Sequence, residues 1–228
     1  MESPILIIHP GALGDVLQAV PTLRGLRART PGATLVLAGQ PRLGRLLVAL
    51  GVVDEARAFD GLGLEALFTH GPIPPALAEW LGGFARVVSW FGAREPTYRA
   101  RLGALAAELT VARPVPDDET PVWRHLLSTV PTSPLAESEA VAPIRPGGAR
   151  AGSAALIIHA GSGGAWKQWP PERFAEAIGE VTARHAVAVV VHQGPADRAA
   201  VDALLARLDR PVERLMEPEL PALAATLS

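Results

Sequence analysis

The sequence predicts an α/β fold in which two Rossmann-like domains, each built on a parallel sheet, follow one another along the chain. Three observations predict it. Short apolar runs alternate with amphipathic stretches, residues 6–9 (Leu-Ile-Ile-His) recur at 156–159, and a Pro- and Gly-rich segment separates the two copies. Strands that alternate with helices at this spacing are typical of βαβ units, whose strands pair in parallel.

Six short runs are predicted to be strands because they are continuously apolar, as expected of strands that are covered on both faces. They are 5–8, 34–38, 86–90, 109–112, 155–158 and 186–191. Apolar residues at helical spacing predict a helix in each of four segments between or after these runs. These segments are 16–26, 43–50, 174–181 and 201–208, and a further amphipathic segment begins near 218. Gly51 marks the end of the second helix, and Pro170-Pro171 marks the start of the third.

The domain boundaries are predicted from the segment 131–153, which has no hydrophobic periodicity and is rich in Pro, Gly, Ser and Ala. It is interpreted as a linker and hinge between an N-terminal domain, 1–130, and a C-terminal domain, 154–228. The second domain is shorter than the ~100–200 residues of a typical domain. We therefore expect it to be incomplete and the chain to be truncated. The alternative is that the repeated motif is a chance similarity within one sheet.

Composition excludes several classes of function. The chain is 49% hydrophobic with a net charge of -2, which is typical of a globular protein and gives no case for nucleic-acid binding. It has no Cys, so thiolate catalysis and zinc-thiolate sites are excluded. No metal-ligand spacing is found. The N-terminus has no basic region before its short apolar run, so we expect a cytoplasmic protein.

The first copy of the repeat leads into a loop that carries Gly11, Gly14 and Asp15 at a predicted helix start. Two roles for Asp15 stay open: a cap for backbone N–H groups, and a general base directed into a cleft. The glycines allow close approach of the backbone. The loop lacks the G-x-G-x-x-G pattern of dinucleotide-binding sites.

The second copy leads into a glycine-rich loop that could bind a phosphate or diphosphate. The loop offers Gly161, Gly163 and Gly164 as a nest of backbone N–H groups, Ser162 as a hydroxyl and Lys167 as a cation, ahead of a helix N-terminus. The alternative is a mobile loop with a solvated lysine. Trp166 and Trp169 are expected to be packing residues.

Three strand-end histidines, His9, His159 and His192, are expected to hydrogen-bond to nearby backbone rather than to act in catalysis.

Three segments resemble one enzyme family. Residues 11–39 (GALGDVLQAVPTLRGLRARTPGATLVLAG) resemble the opening of family 9 glycosyltransferases, the ADP-heptose:lipopolysaccharide heptosyltransferases and their relatives. Residues 159–178 (HAGSGGAWKQWPPERFAEAI) resemble the donor loop of that family, and 194–208 (GPADRAAVDALLARL) resemble its next segment.

The resemblance implies a GT-B-like architecture and sugar transfer that inverts the anomeric centre and needs no metal or cofactor. It implies that Asp15 is the general base and that Gly11 and Gly14 belong to an acceptor-side loop. The donor-binding residues that it implies are Ser162, Gly163, Gly164, Lys167 and Asp197.

The substrates implied are a nucleoside diphosphate sugar, most simply ADP-heptose, and a glycan or glycolipid acceptor. A lipopolysaccharide-type acceptor would place the protein at the inner face of the membrane. The sequence departs from the family at 89–95 (SWFGARE), where many members have an Asp-x-Gln-Gly segment, and it lacks their later Asp-x-Gly-x-x-His motif. Two alternatives stay open: a non-catalytic nucleotide- or phosphate-binding module, and a Rossmann-type oxidoreductase, which the missing dinucleotide pattern disfavours.

Overall fold

A computed structural model describes residues 4–132, 137–140, 142, 155–162 and 164–227. The chain divides into two compact units, Met1–Gly147 and Gly148–Ser228. No helix among the described residues is both long enough and apolar enough to cross a bilayer.

The described residues of the first unit form an α/β layer structure with five strands. The strands are β1 (Ile5–Ile8), β2 (Leu35–Gly39), β3 (Glu55–Ala58), β4 (Arg86–Ser89) and β5 (Glu108–Val111). The helices are α1 (Leu13–Gln18), α2 (Val20–Arg29), α3 (Pro41–Ala49), α4 (Pro75–Gly82), α5 (Pro96–Gly103), α6 (Val122–Ser128) and α7 (Glu137–Ala140). Two 3₁₀ turns, Phe59–Gly61 and Leu64–Phe68, precede α4.

All strand pairs of this unit are parallel, in the order β3-β2-β1-β4-β5. Strand β1 is the central strand and is buried along its whole length. The chain proceeds outward from β1 to β3 on one side and then returns to β4 on the other side. The boundary between β1 and β4 is therefore the point where the strand order reverses, and open α/β sheets bind ligands at the carboxyl ends of strands at such a point.

In the second unit, the part of the chain that the structure describes forms three parallel strands, in the order β6-β7-β8. They are β6 (Ala155–His159), β7 (Ala188–Gln193) and β8 (Glu213–Met216). The helices are α8 (Pro171–Arg184), α9 (Arg198–Leu205) and α10 (Leu220–Thr226), and a 3₁₀ turn covers Ala165–Lys167. Its core lies between the sheet and α8 and α9, around Ile178, Val191, Val201 and Leu204.

The predicted fold class is confirmed: the protein is an α/β protein with two parallel sheets, and each copy of the repeated motif begins a separate sheet. All six predicted strands are present within two residues of their predicted limits. Gly51 has a positive φ of 66°, a conformation that favours glycine, directly after α3 and Leu50.

One predicted helix was wrong in detail. The segment 16–26 belongs to two helices, because α1 ends at Gln18 and α2 begins at Val20. Pro21 explains the break, since it has no backbone N–H with which to continue the hydrogen-bond ladder of α1.

The predicted linker 131–153 lies largely outside the described residues. Of the part that is described, Arg24 of α2 donates hydrogen bonds to the carbonyl oxygens of Glu139 (3.1 Å) and Ala142 (2.7 Å). A Cβ on Gly25 would lie 2.7 Å from the Thr132 side chain. This part of the segment therefore packs against α2 of the first unit.

Candidate functional site

The first candidate loop, 9–15, leaves the carboxyl end of β1 at the point where the strand order of the first sheet reverses. The next strand on the far side, β4, ends there at the buried Ser89, and the buried Trp90 follows it. Sequence and topology thus agree on the place where a ligand would meet this unit.

Asp15 is exposed and lies in the first turn of α1. The backbone N–H of Ala12, the residue before the helix, donates to Asp15 Oδ2 at 3.2 Å. The carboxylate therefore does cap the helix entry, which is one of its two predicted roles. A carboxylate has about four acceptor positions on two oxygens, so one bond of this kind leaves capacity for a second partner. The geometry permits both roles together.

The two glycines of this loop have different surroundings. A Cβ on Gly11 would lie 2.8 Å from His9 Cε1 and 3.1 Å from Asp15 Cβ, so glycine is needed for the loop to close over the histidine. A Cβ on Gly14 would meet no atom within 4 Å. Gly11 is thus explained by packing, whereas Gly14 leaves open space beside Asp15.

His9 forms the buried floor of the loop and is only 2% exposed. Its Nδ1 accepts a hydrogen bond from the Gly11 N–H at 3.4 Å, and its ring contacts Trp90 edge-on at 5.6 Å. Burial lowers the pKa of His9, and a hydrogen bond and the charge of Asp15 partly oppose that effect. The predicted backbone hydrogen bond is therefore present, and a neutral imidazole supports the loop.

The second candidate loop leaves the carboxyl end of β6. Ser162 Oγ donates to the Gly164 carbonyl at 2.6 Å, and the Gly164 N–H points back to the same hydroxyl at 3.4 Å. Gly163 lies outside the described residues. In this structure Ser162 and Gly164 bond to each other, so a phosphate would have to replace at least one of these contacts.

Lys167 is exposed at the end of this loop and is the only lysine in the chain; the other basic side chains are arginines. Its Nζ lies 4.9 Å from the centre of the Trp166 ring. Within the described part of the chain, no carboxylate lies at ion-pair distance from it. Its charge is therefore available to an anion. Lys167 was already predicted from the sequence as the cation of this loop.

The N-terminus of α8 is less available than predicted. Glu172 lies in the first turn of this helix, and its pKa is lowered mainly by a hydrogen bond to its own backbone, with a contribution from Arg207. A carboxylate of the chain thus already occupies this helix start, and Lys167 is the stronger candidate for binding an anion.

Asp197 is only 8% exposed, and its surroundings explain why. The Gly194 N–H donates to Asp197 Oδ2 at 2.9 Å, and a Cβ on Gly161 would lie 1.9 Å from Asp197 Oδ1. The carboxylate therefore fills the space between the loops that follow β6 and β7. Sequence reasoning missed this contact, because it joins residues of two different loops. A contact of Asp197 with a donor stays a prediction.

His159 and His192 face each other across neighbouring strands, and their Nδ1 atoms lie 2.9 Å apart. His159 Nε2 also lies 3.9 Å from Asp197 Oδ2. We expected each of these histidines to bond to nearby backbone. For the two Nδ1 atoms this was wrong, because they contact each other. Strand pairing brings them together, and their separation of 33 positions in the sequence hides this from sequence reasoning.

The expectation that both tryptophans pack was wrong for Trp166, which is 85% exposed. Trp169 is half exposed and contacts the Phe174 ring edge-on at 5.0 Å.

No group of three potential metal ligands occurs among the described side chains. A groove of about 720 Å³ lies elsewhere, between α3 and the edge strand β3, and includes none of the predicted site residues. The candidate site residues therefore lie in two strand-end loops, one in each unit.

Comparison with known proteins gives matches in fold but none in sequence. No family model matches the chain, and no curated protein matches its sequence. A family 9 glycosyl transferase from Veillonella parvula DSM 2008 has a TM-score of 0.69 and 14% identity; the match covers 99% of this chain and 72% of that one.

Two E. coli proteins are similar to the same extent. ADP-heptose lps heptosyltransferase II has a TM-score of 0.66 and 17% identity, over 97% of this chain and 76% of that one. Heptosyltransferase WaaC, solved with ADP, has a TM-score of 0.68 and 17% identity, over 98% of this chain and 78% of that one. The fold of the chain is therefore the fold of these glycosyltransferases, as the motif resemblance implied.

Proposed function

We propose that this chain is a glycosyltransferase that takes its sugar from a nucleoside diphosphate sugar. One observation carries the proposal: the only lysine of the chain stands exposed in the glycine-rich loop after β6, in a fold shared with a heptosyltransferase solved with ADP. A diphosphate needs a cation and N–H or O–H donors, and this loop offers both.

The finer proposal is that the donor is ADP-heptose and that the acceptor is a lipopolysaccharide-type or other glycan. It is supported by the motif resemblance and by the same E. coli enzyme solved with ADP-2-deoxy-2-fluoro heptose, where 17% of the residues are identical. The acceptor is proposed from the motif resemblance.

The chemistry assigned to the second unit is stabilisation of the leaving diphosphate. The ammonium of Lys167 would neutralise charge that develops on the phosphate oxygens as the bond to the anomeric carbon breaks. Ser162 and the Gly164 N–H would exchange their mutual contact for bonds to the phosphate. Asp197 would support these groups indirectly, because its carboxylate packs against Gly161 and holds the loop in place.

The chemistry assigned to the first unit is proton removal. Asp15 would accept the proton of an acceptor hydroxyl as its oxygen attacks the anomeric carbon, and the diphosphate leaves with the bonding electron pair. The exposed carboxylate and the open space at Gly14 support this assignment. The neutral His9 beneath the loop places no competing cation beside the base.

Lys167→Ala tests the donor role. We expect ADP binding to weaken by ~1.5–3 kcal/mol, the usual value of a hydrogen bond to a charged group, as measured by titration calorimetry. Stability should hardly change, because the side chain is exposed. Arg184→Ala is the matched control. Arg184 is an exposed cation in the last turn of α8, which leads to the amino ends of the strands, away from the loop. Equal ADP affinity in Lys167→Ala and the parent would refute the donor role.

Asp15→Asn tests the base. We expect the rate of ADP release from ADP-heptose, with a lipopolysaccharide core acceptor, to fall by ~10²–10⁴, the usual contribution of a positioned proton acceptor. ADP affinity should stay constant, and Asn should retain most of the capping. Asp118→Asn is the matched control, because Asp118 is also an exposed carboxylate that accepts a local backbone N–H, from Thr120 at 2.9 Å.

Unchanged turnover in Asp15→Asn would leave Asp15 as a helix cap only. ADP binding by the parent with no transfer to any acceptor would instead support the non-catalytic binding module.

A further inference from the structure

Trp166 has the largest exposed fraction among the large apolar side chains that the structure describes, 85% against 62% for Leu227 and 60% for Met216. A single exposed apolar residue needs no explanation by itself. Trp166 does need one, because its neighbours hold the ring in a defined place instead of leaving it free.

Two contacts hold the ring. A Cβ on Gly164 would lie 3.0 Å from Trp166 Nε1 and 3.2 Å from its Cδ1, so one edge of the indole rests against the glycine backbone. The Lys167 ammonium lies 4.9 Å from the ring centre, within the range of a cation–π contact. The loop thus holds a large aromatic surface beside its only lysine and still exposes most of that surface.

We propose that Trp166 stacks on the transferred sugar of the donor, and that it is a specificity-determining residue of the second loop. This rests on the proposed function, in which Lys167 binds a donor phosphate. A phosphate oxygen that accepts a hydrogen bond from Lys167 Nζ would lie ~2.8 Å from it. The centre of the indole ring lies 4.9 Å from the same Nζ, so both lie next to the ammonium group. The part of the donor nearest to the ring is then a group bonded directly to the phosphate.

In a nucleoside diphosphate sugar, the ribose is bonded to the proximal phosphate and the transferred sugar to the distal one. Lys167 is assigned to the charge that develops as the bond to the anomeric carbon breaks, which is charge on the distal phosphate, so the transferred sugar is the group within reach of the indole. Pyranose rings present a face of C–H groups, and an aromatic face is the apolar surface that covers them. The contact would favour sugars whose hydroxyl groups leave such a face clear.

The test compares two ligands on three variants by titration calorimetry. ADP lacks the sugar, and ADP-2-deoxy-2-fluoro-heptose carries it in a form that resists transfer. For Trp166→Ala we expect affinity for the fluoro-heptose nucleotide to fall about tenfold and affinity for ADP to change less than about twofold. Trp166→Phe should recover most of the loss. Trp123→Ala is the matched control, since Arg124 lies 5.0 Å from that ring in the first unit, and it should change neither affinity.

Each outcome supports or overturns the proposal. Equal losses for both ligands in Trp166→Ala would show that the indole contacts the nucleotide, and no loss for either would show that it contacts no part of the donor; both overturn the proposal and leave the donor role of Lys167 standing. Failure of the parent to bind either ligand overturns both proposals together.

Discussion

The two copies of Leu-Ile-Ile-His lie in different environments, although both begin a parallel sheet and both lead into a glycine-containing loop. The copy at 6–9 lies in the central strand of its sheet, and every residue of it is buried. The copy at 156–159 lies in a strand that pairs only with β7 among the described residues, and its side chains are partly or largely exposed. The same sequence is thus a core in one unit and a half-covered surface in the other, and strand position decides which.

The loops that follow the two copies also differ, in what their glycines pack against and in which charge they expose. Gly11 closes over His9 and Asp15, residues of its own loop, whereas Gly161 closes over Asp197, which another loop supplies. The first loop leaves a carboxylate exposed, and the second buries its carboxylate and leaves a lysine exposed. The two loops that follow the repeated strand therefore expose opposite charges, which the proposal assigns to proton removal and to phosphate binding.

The largest predicted difference between the copies is in stability. Ile8→Ala should lower the free energy of unfolding by about 2–5 kcal/mol, because Ile8 is fully buried among packed neighbours. Ile158→Ala should cost less, about 1–2 kcal/mol, because Ile158 is only partly buried. Urea unfolding followed by circular dichroism measures both. Equal losses would mean that strand position does not control the cost.

A smaller difference is predicted for the loop glycines. Gly161→Ala should destabilise the second unit by about 1–3 kcal/mol, because the new methyl would overlap the Asp197 carboxylate and displace its bond to Gly194. Gly14→Ala should be neutral or stabilise by up to about 1 kcal/mol, because Gly14 lies within α1 and a methyl there meets open space. Thermal unfolding of the two variants measures this contrast.

Gly14→Ala also bears on function. If an acceptor binds beside Asp15, the methyl would raise the KM for that acceptor without loss of stability. A stable variant with an unchanged KM would place the acceptor away from Gly14.

The central features could be predicted from the sequence, and the peripheral ones could not. Apolar runs marked β1 and β4 because these strands are covered on both sides. Strands β3 (EARA) and β8 (ERLM) were missed, because partly exposed strands tolerate charged side chains and lose the apolar signal.

The site follows the same division. Glycine spacing and charged residue types identified Asp15 and Lys167, whose exposure follows from their place in strand-end loops. The burial of Asp197 and the pairing of His159 with His192 depend on which strands and loops become neighbours, and local sequence does not contain that information.

The smallest predicted effect concerns the two histidines that end the repeat. Burial lowers the pKa of His9 in the folded protein, against the opposing effects of Asp15, so below pH ~6.5 the unfolded chain binds more protons than the folded one. The stability that depends on neutral His9 is therefore complete above that pH and declines as the pH falls from there toward the lower, folded pKa.

We expect the wild-type protein to lose more unfolding free energy between pH 8 and pH 5.5 than His9→Gln does, as measured by urea unfolding at each pH. Carboxylates such as Asp54 do not titrate between pH 8 and pH 5.5. Burial raises the pKa of Asp54, but hydrogen bonds from the Leu35 N–H and Arg27 lower it below its ordinary value. His159→Gln makes the same replacement at the half-exposed copy and shows how much of the change comes from replacing a strand-end histidine as such. An equal loss in wild type and His9→Gln would show that His9 does not couple proton binding to folding, and the contrast between the buried and exposed copies would then not extend to their protonation.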